Sequence, residues 1–141
     1  MALKESKYSS CLYYSSNALS RVLTKMADEA FQAVGLSPSY AFLLMTVNER
    51  PGIQPSEISR ELELTPSTVT RLVEKMENRG FLKRTSVGRA TKVEPLQKSL
   101  DMQGRLQEAL DDLNDRCAEV LGDRYSEVLT EMTYTAVEKL E

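Results

Sequence analysis

Apolar residues recur at helical spacing from near the start of the chain. Leu12, Leu19, Leu23, Met26, Ala30 and Val34 share one face of a Gly- and Pro-free segment from about Tyr8 to Val34, which predicts a long amphipathic helix. Gly35 suits a left-handed cap, and Ser37-Pro38 then opens a second helix with serine as N-cap and proline at its first position. This helix, Pro38 to about Glu49, carries Tyr40, Phe42, Leu43, Leu44, Met45 and Val47 and is expected to be buried. Pro51-Gly52 breaks it, Ile53 is expected in a brief strand, and Pro55-Ser56-Glu57 starts a short helix that ends at Leu62.

Glu63-Leu64 leads to Thr65-Pro66, again an N-cap followed by proline, and the next helix runs from Pro66 to about Arg79. On it Val69, Leu72, Val73 and Met76 form one apolar stripe. At about 100° per residue, Ser67, Arg71, Glu74 and Asn78 point the opposite way, with Thr68, Thr70 and Lys75 on the shoulders. Two alternating segments follow, Phe81 to Arg84 and Ala90 to Val93, around a turn supplied by Gly88. They predict a hairpin with Arg89 at its tip and Lys83, Arg84 and Lys92 on its flanks. Beyond Pro95 the pattern is helical almost to the end, with a break at Gly122-Asp123. Leu106, Leu110, Leu113, Cys117 and Val120 are spaced as a heptad seam, and the last helix offers Tyr125, Val128, Leu129, Met132 and Ala136.

Two short helices joined by a tight link, the second with a small, polar and basic face, followed by a basic hairpin, make a winged helix-turn-helix. The predicted fold class is mainly α with a small β-hairpin wing: residues 1–37 form an N-terminal dimerisation helix, 38–95 the DNA-binding domain and 96–141 C-terminal dimerisation helices. The Ser67/Arg71 face fits a major groove, where arginine pairs bidentately with guanine, and the helix N-terminus favours a phosphate. Arg89 suits a minor groove, and Arg84 and Lys92 are expected to hold the DNA backbone. Glu74, on the same face, either accepts from a cytosine amine or repels phosphate. The heptad seam is read as an interface between two chains, because the helices outside the reader offer more apolar surface than one small lobe covers. An intramolecular bundle helix is the other reading of that seam. A winged helix used only for protein–protein contacts is the alternative function.

Composition first argues against nucleic acid: 141 residues hold 18 Lys or Arg and 21 Asp or Glu, a net charge of −3. The charge is unevenly placed. Residues 54–92 hold 8 basic and 5 acidic side chains, whereas 93–141 hold 5 and 12. The complete lack of histidine rules out a Ser-His-Asp triad and a histidine-ligated metal. Asp111, Asp112 and Asp115 read as a solvated helix face without a nucleophile–base pair, so no enzyme, cofactor or metal is expected. Cys11 and Cys117 lie far apart without a CxxC pair, which argues against zinc and a disulfide framework. No apolar run approaches the ~18–20 residues of a membrane span, and Met1 to Ser10 lacks the order of a signal peptide, so a cytoplasmic protein is expected.

The stretch from Ile58 to Arg84, with Ser67-Thr68-Val69-Thr70-Arg71-Leu72-Val73 in its recognition helix and Met76-Glu77-Asn78-Arg79-Gly80-Phe81-Leu82-Lys83-Arg84 leading into the wing, resembles the multiple-antibiotic-resistance (MarR) type of bacterial transcriptional regulator. The element order extends the resemblance over nearly the whole chain. It implies a homodimer on an inverted-repeat operator, usually a repressor, released when a small molecule or an oxidant acts at the junction of dimer and reader. It assigns recognition-helix roles to Ser67, Thr68, Thr70, Arg71 and Lys75 and the wing-tip role to Arg89. Departures are Val87 in place of the usual wing aspartate, a shorter wing, Glu63 where glycine is common, and Pro95-Leu96-Gln97-Lys98-Ser99 in place of Leu-Thr-x-x-Gly.

Cys11, early in the first predicted helix beside Tyr8, Tyr13 and Tyr14, resembles the peroxide-sensing branch of that family. Cys11 and Tyr14 are therefore candidate redox-sensing residues, since a reactive thiol needs access and a lowered pKa. The other reading makes Cys11 a small residue on a half-buried helix edge. Cys117 is read as a packing residue. The competing effector is a small aromatic ligand in a crevice lined by Tyr13, Met26, Phe42 or Met45.

Overall fold

The structure, a computed structural model, describes residues 6–141. The expectation that Met1 to Ser10 is not a signal peptide falls in part on residues 1–5, outside the described residues. The elements are α1 (Leu12–Phe31), a 3₁₀ turn (Gln32–Val34), α2 (Pro38–Glu49), α3 (Pro55–Leu62), α4 (Pro66–Asn78), β1 (Leu82–Val87), β2 (Ala90–Pro95), α5 (Gln97–Leu121) and α6 (Asp123–Leu140). The fold is mainly helical with one antiparallel hairpin, as the periodicity predicts.

Two boundaries differ from expectation. α1 starts at Leu12 instead of near Tyr8, because the serine-rich segment before it satisfies its own backbone: Cys11 N donates to Tyr8 O at 2.9 Å and Ser15 Oγ to Ser9 O at 2.8 Å. Cys11 is therefore the N-cap residue of α1 and not a residue within it. The wing strands are longer than predicted, with Val87 paired to Ala90, because the turn shrinks to Gly88-Arg89. Gly88 has φ 63° while Arg89 keeps a negative φ, the combination of a type II′ hairpin turn. Ile53 forms a single bridge to Val93, which ties the segment between α2 and α3 to the wing.

The apolar faces meet in one core. Leu43, Leu44 and Val47 of α2 pack with Ile58 of α3, Val69, Val73 and Met76 of α4, Leu82 and Val93 of the hairpin, Phe31 of α1 and Leu106 of α5. The reader module and the junction of α1 with α5 thus share a continuous interior. Outside it the picture changes. Along the α5 seam Leu106 is buried and Leu110, Leu113 and Cys117 are half-buried, but Val120 is 80% exposed. α6 packs along α5 and buries no residue completely. No single helix among the described residues is long and apolar enough to cross a membrane.

Glu63, between α3 and α4, holds φ 53° and ψ 45°, a left-handed conformation that β-carbon sterics disfavour. The Glu141 carboxyl beside it raises its pKa, chiefly through a hydrogen bond that requires a shared proton and then through like-charge repulsion, to which Glu138 adds. Glu63→Gly is therefore expected to raise Tm by a few degrees at neutral pH, the relief of strain and repulsion outweighing the added freedom of the unfolded chain. A carboxyl with a raised folded-state pKa destabilises above that value and ceases to do so below the unfolded one. The advantage of Glu63→Gly in thermal unfolding should shrink as pH falls through that window.

Candidate nucleic-acid interface

α4 is positioned by its two faces. Val69, Leu72, Val73 and Met76 are buried, while Ser67, Thr70, Arg71, Glu74, Lys75 and Asn78 are exposed and Thr68 is half-buried. Thr65 Oγ1 caps the helix, accepting from Thr68 N at 3.4 Å, and lies 2.9 Å from Thr68 Oγ1. Thr70 Oγ1 donates to Pro66 O at 3.0 Å. The hydroxyls of Thr68 and Thr70 are thus tied to the first turn of their own helix. Ser67 Oγ lies at 3.4 Å from Thr65 Oγ1, at the limit of a hydrogen bond. The side chains of Arg71 and Lys75 make no hydrogen bond or ion pair among the described residues, and neither does Arg89 at the wing tip. Lys92, half-buried on β2, also has no acidic partner.

Arg84, expected at the DNA backbone, is paired within the reader. Its backbone N donates to Glu77 Oε2 at 2.9 Å, its Nε and Nη2 reach Glu77 Oε1 at 3.2 and 2.9 Å, and its Nη1 lies 3.6 Å from Glu74 Oε1. This fork holds β1 against α4. Hydrogen bonding from Arg84 lowers the pKa of Glu77, and Glu77 in turn raises that of Arg84. Glu77 was not among the candidates read from the sequence. Its signal was available only as an acidic residue on the last turn of the recognition helix, facing a basic strand across the Gly80 turn. Arg50 similarly pairs with Glu57 at 2.7 Å. Three of the acidic side chains in the reader are therefore engaged by arginines, while Arg71, Lys75 and Arg89 keep their charge toward solvent.

The candidate switch residues are less closely assembled. Cys11 is exposed, and no hydrogen bond joins its thiol to a tyrosine among the described residues. Tyr14 instead packs its ring against Tyr8 at 5.7 Å. The single chain has an open depression of about 430 Å³ bordered by Lys25, Asp28, Glu29, Gln32 and Leu36. It sits where α1 ends and the turn to α2 begins, and none of the four expected residues lines it.

The fold and this surface define a winged helix-turn-helix. Residues 34–90 match the sequence model of the MarR family. The chain is 30% identical over 69 residues to the HTH-type transcriptional regulator PapX of Escherichia coli, a match covering 48% of this chain and 42% of that relative's length. The transcriptional repressor CouR, in a structure bound to a 23-mer DNA duplex, superposes with a TM-score of 0.85 at 21% identity over 97% of this chain and 99% of that one. A MarR protein from Peptoclostridium difficile superposes with a TM-score of 0.80 at 20% identity, covering 99% of this chain and 92% of the other. What these matches share with the chain is the winged helix fold and a MarR-like stretch over residues 34–90.

Proposed function

We propose that the chain acts as a homodimeric repressor that reads an inverted-repeat operator in double-stranded DNA. The observation that carries this reading is the division of α4: a wholly buried apolar stripe fixes the helix, and the opposite face offers Ser67, Arg71 and Lys75 to a groove. Thr68 and Thr70 support the helix start, Arg89 and Lys92 supply wing contacts, and Arg84 acts through the wing's position. A titration of DNA selected from a random pool tests it. Arg71→Ala should cost about 10–100-fold in affinity for the selected sequence and relax the preference at one base pair, as expected for loss of a bidentate contact. Equal losses on selected and random DNA would leave Arg71 as a phosphate contact only.

Dimerisation is supported by α6, an 18-residue helix with an apolar stripe and no buried residue in the single chain. Helices of this length depend on covering such a stripe. For release, the complex of CouR with p-coumaroyl-CoA supports a small-molecule effector. The exposed Cys11 thiol supports an oxidant as the second route. If that route operates, peroxide should abolish DNA binding by the wild type and spare Cys11→Ser, as followed by gel shift; equal sensitivity of both proteins would remove Cys11 from the switch.

A further inference from the structure

Ser99 is the buried polar residue among the described residues, 0% exposed, in the first turn of α5. Its Oγ donates to Asn48 Oδ1 at 2.7 Å. Asn48, in the last turn of α2, returns the bond by donating its Nδ2 to Ser99 O at 3.0 Å and to Gln103 Oε1 at 2.8 Å. No buried side-chain polar atom among the described residues lacks a partner, so this network is closed. Matched apolar residues would hold two helices together about as well. What the reciprocal pair adds is register: apolar contacts tolerate sliding, whereas these hydrogen bonds are satisfied in one arrangement of α2 on α5.

The same turn is gripped from the other side. Leu96 N donates to Phe81 O at 2.8 Å, and Lys98 Nζ donates to Arg79 O at 2.8 Å while lying 4.3 Å above the Phe81 ring. The start of α5 is thus fixed to α2 and to the end of α4 together. α5 then carries the seam away from the reader for 25 residues. At ~1.5 Å per residue it is ~37 Å long, so a tilt of ~5° at this joint shifts the reading head by ~3 Å relative to the far end, close to one base-pair rise of ~3.4 Å.

We propose that Asn48, Ser99 and Gln103 form a positioning latch that sets the angle of the reading head on α5 and thereby the half-site spacing that two copies accept. This rests on the homodimeric, DNA-reading function proposed above. The test uses duplexes selected by the wild type, with the centre lengthened or shortened by one or two base pairs, and the double variant Asn48→Leu with Ser99→Ala, which removes both sides of the reciprocal pair. The wild type should lose about tenfold or more in affinity per base pair of altered spacing, and the folded double variant about threefold or less, with single half-site affinity and salt dependence unchanged. A spacing profile identical to wild type in the folded double variant overturns the latch. If that variant lacks the wild-type circular dichroism spectrum, Gln103→Ala decides: a partly flattened profile supports the latch and an unchanged one overturns it. A wild type that binds selected DNA without any spacing dependence overturns the two-copy reading, and the latch falls with it.

Discussion

Placing lysine at both Tyr125 and Met132 is expected to convert the protein to a monomer and to lower its affinity for selected inverted-repeat DNA by about 100-fold or more. The two residues are 60% and 66% exposed in the single chain and lie two helical turns apart on one face of α6. In a two-fold interface each substitution occurs twice, so four ammonium groups would enter one apolar contact without partners. Coupling of two half-sites through the dimer is worth about 10²–10⁴ in apparent affinity, and this is what monomerisation removes. Neither side chain belongs to the core shared by the reader, so the circular dichroism spectrum should be retained. Sedimentation velocity checks the oligomeric state. A stable dimer with wild-type DNA affinity would take this face of α6 out of the interface.

Arg84→Met is expected to weaken DNA binding about tenfold, and adding Glu74→Gln with Glu77→Gln is expected to restore most of it. Without the guanidinium, two carboxylates face the DNA from the recognition helix and the wing loses its fork. If Arg84 touched phosphate itself, neutralising the glutamates would not recover what its loss removes; an unrescued triple variant would therefore refute the masking of these carboxylates by Arg84. The effect on stability should be small, about 1 kcal/mol or less, because the pair is about one-third exposed and solvent screens it. Its pH dependence has a definite sign. Glu77 has a lowered folded-state pKa, so its contribution is present above the ordinary carboxylate range and is lost as pH falls through the lowered value. Glu77→Gln should lack that component of acid destabilisation in thermal unfolding.

The reader was legible because local signals agreed there. Pro38, Pro55 and Pro66 each stand at the first position of a helix, and Val69, Leu72, Val73 and Met76 announce which side of α4 is buried. What escaped depends on the chain's return in space. Glu77 and Arg84 are seven residues apart across a helix–strand turn, where no periodicity relates them, and Asn48 and Ser99 are separated by 51 residues. The start of α1 was misplaced because apolar spacing extends back to Tyr8, while the serines before Leu12 divert the backbone into a turn. Glu63 was recognisable as a departure from glycine, and its left-handed conformation supplies the reason glycine is common there.

The charge pattern also gains a physical account. Glu74 and Glu77 are held by Arg84 and Glu57 by Arg50, while Arg60, Arg71, Lys75, Arg79, Lys83 and Arg89 of the reader are exposed and without an ion pair among the described residues. The net charge of −3 therefore conceals a cationic face on one module of an acidic chain.

The central claim, that two copies of this chain read a two-fold symmetric DNA sequence, is tested most directly by selecting duplexes from a random pool and measuring the mass of the resulting complex at several salt concentrations. The expected result is an enriched inverted repeat bound by two chains per duplex, with affinity that falls on scrambling either half. Enrichment of no sequence, or one chain bound per duplex with equal affinity for scrambled DNA, would contradict it.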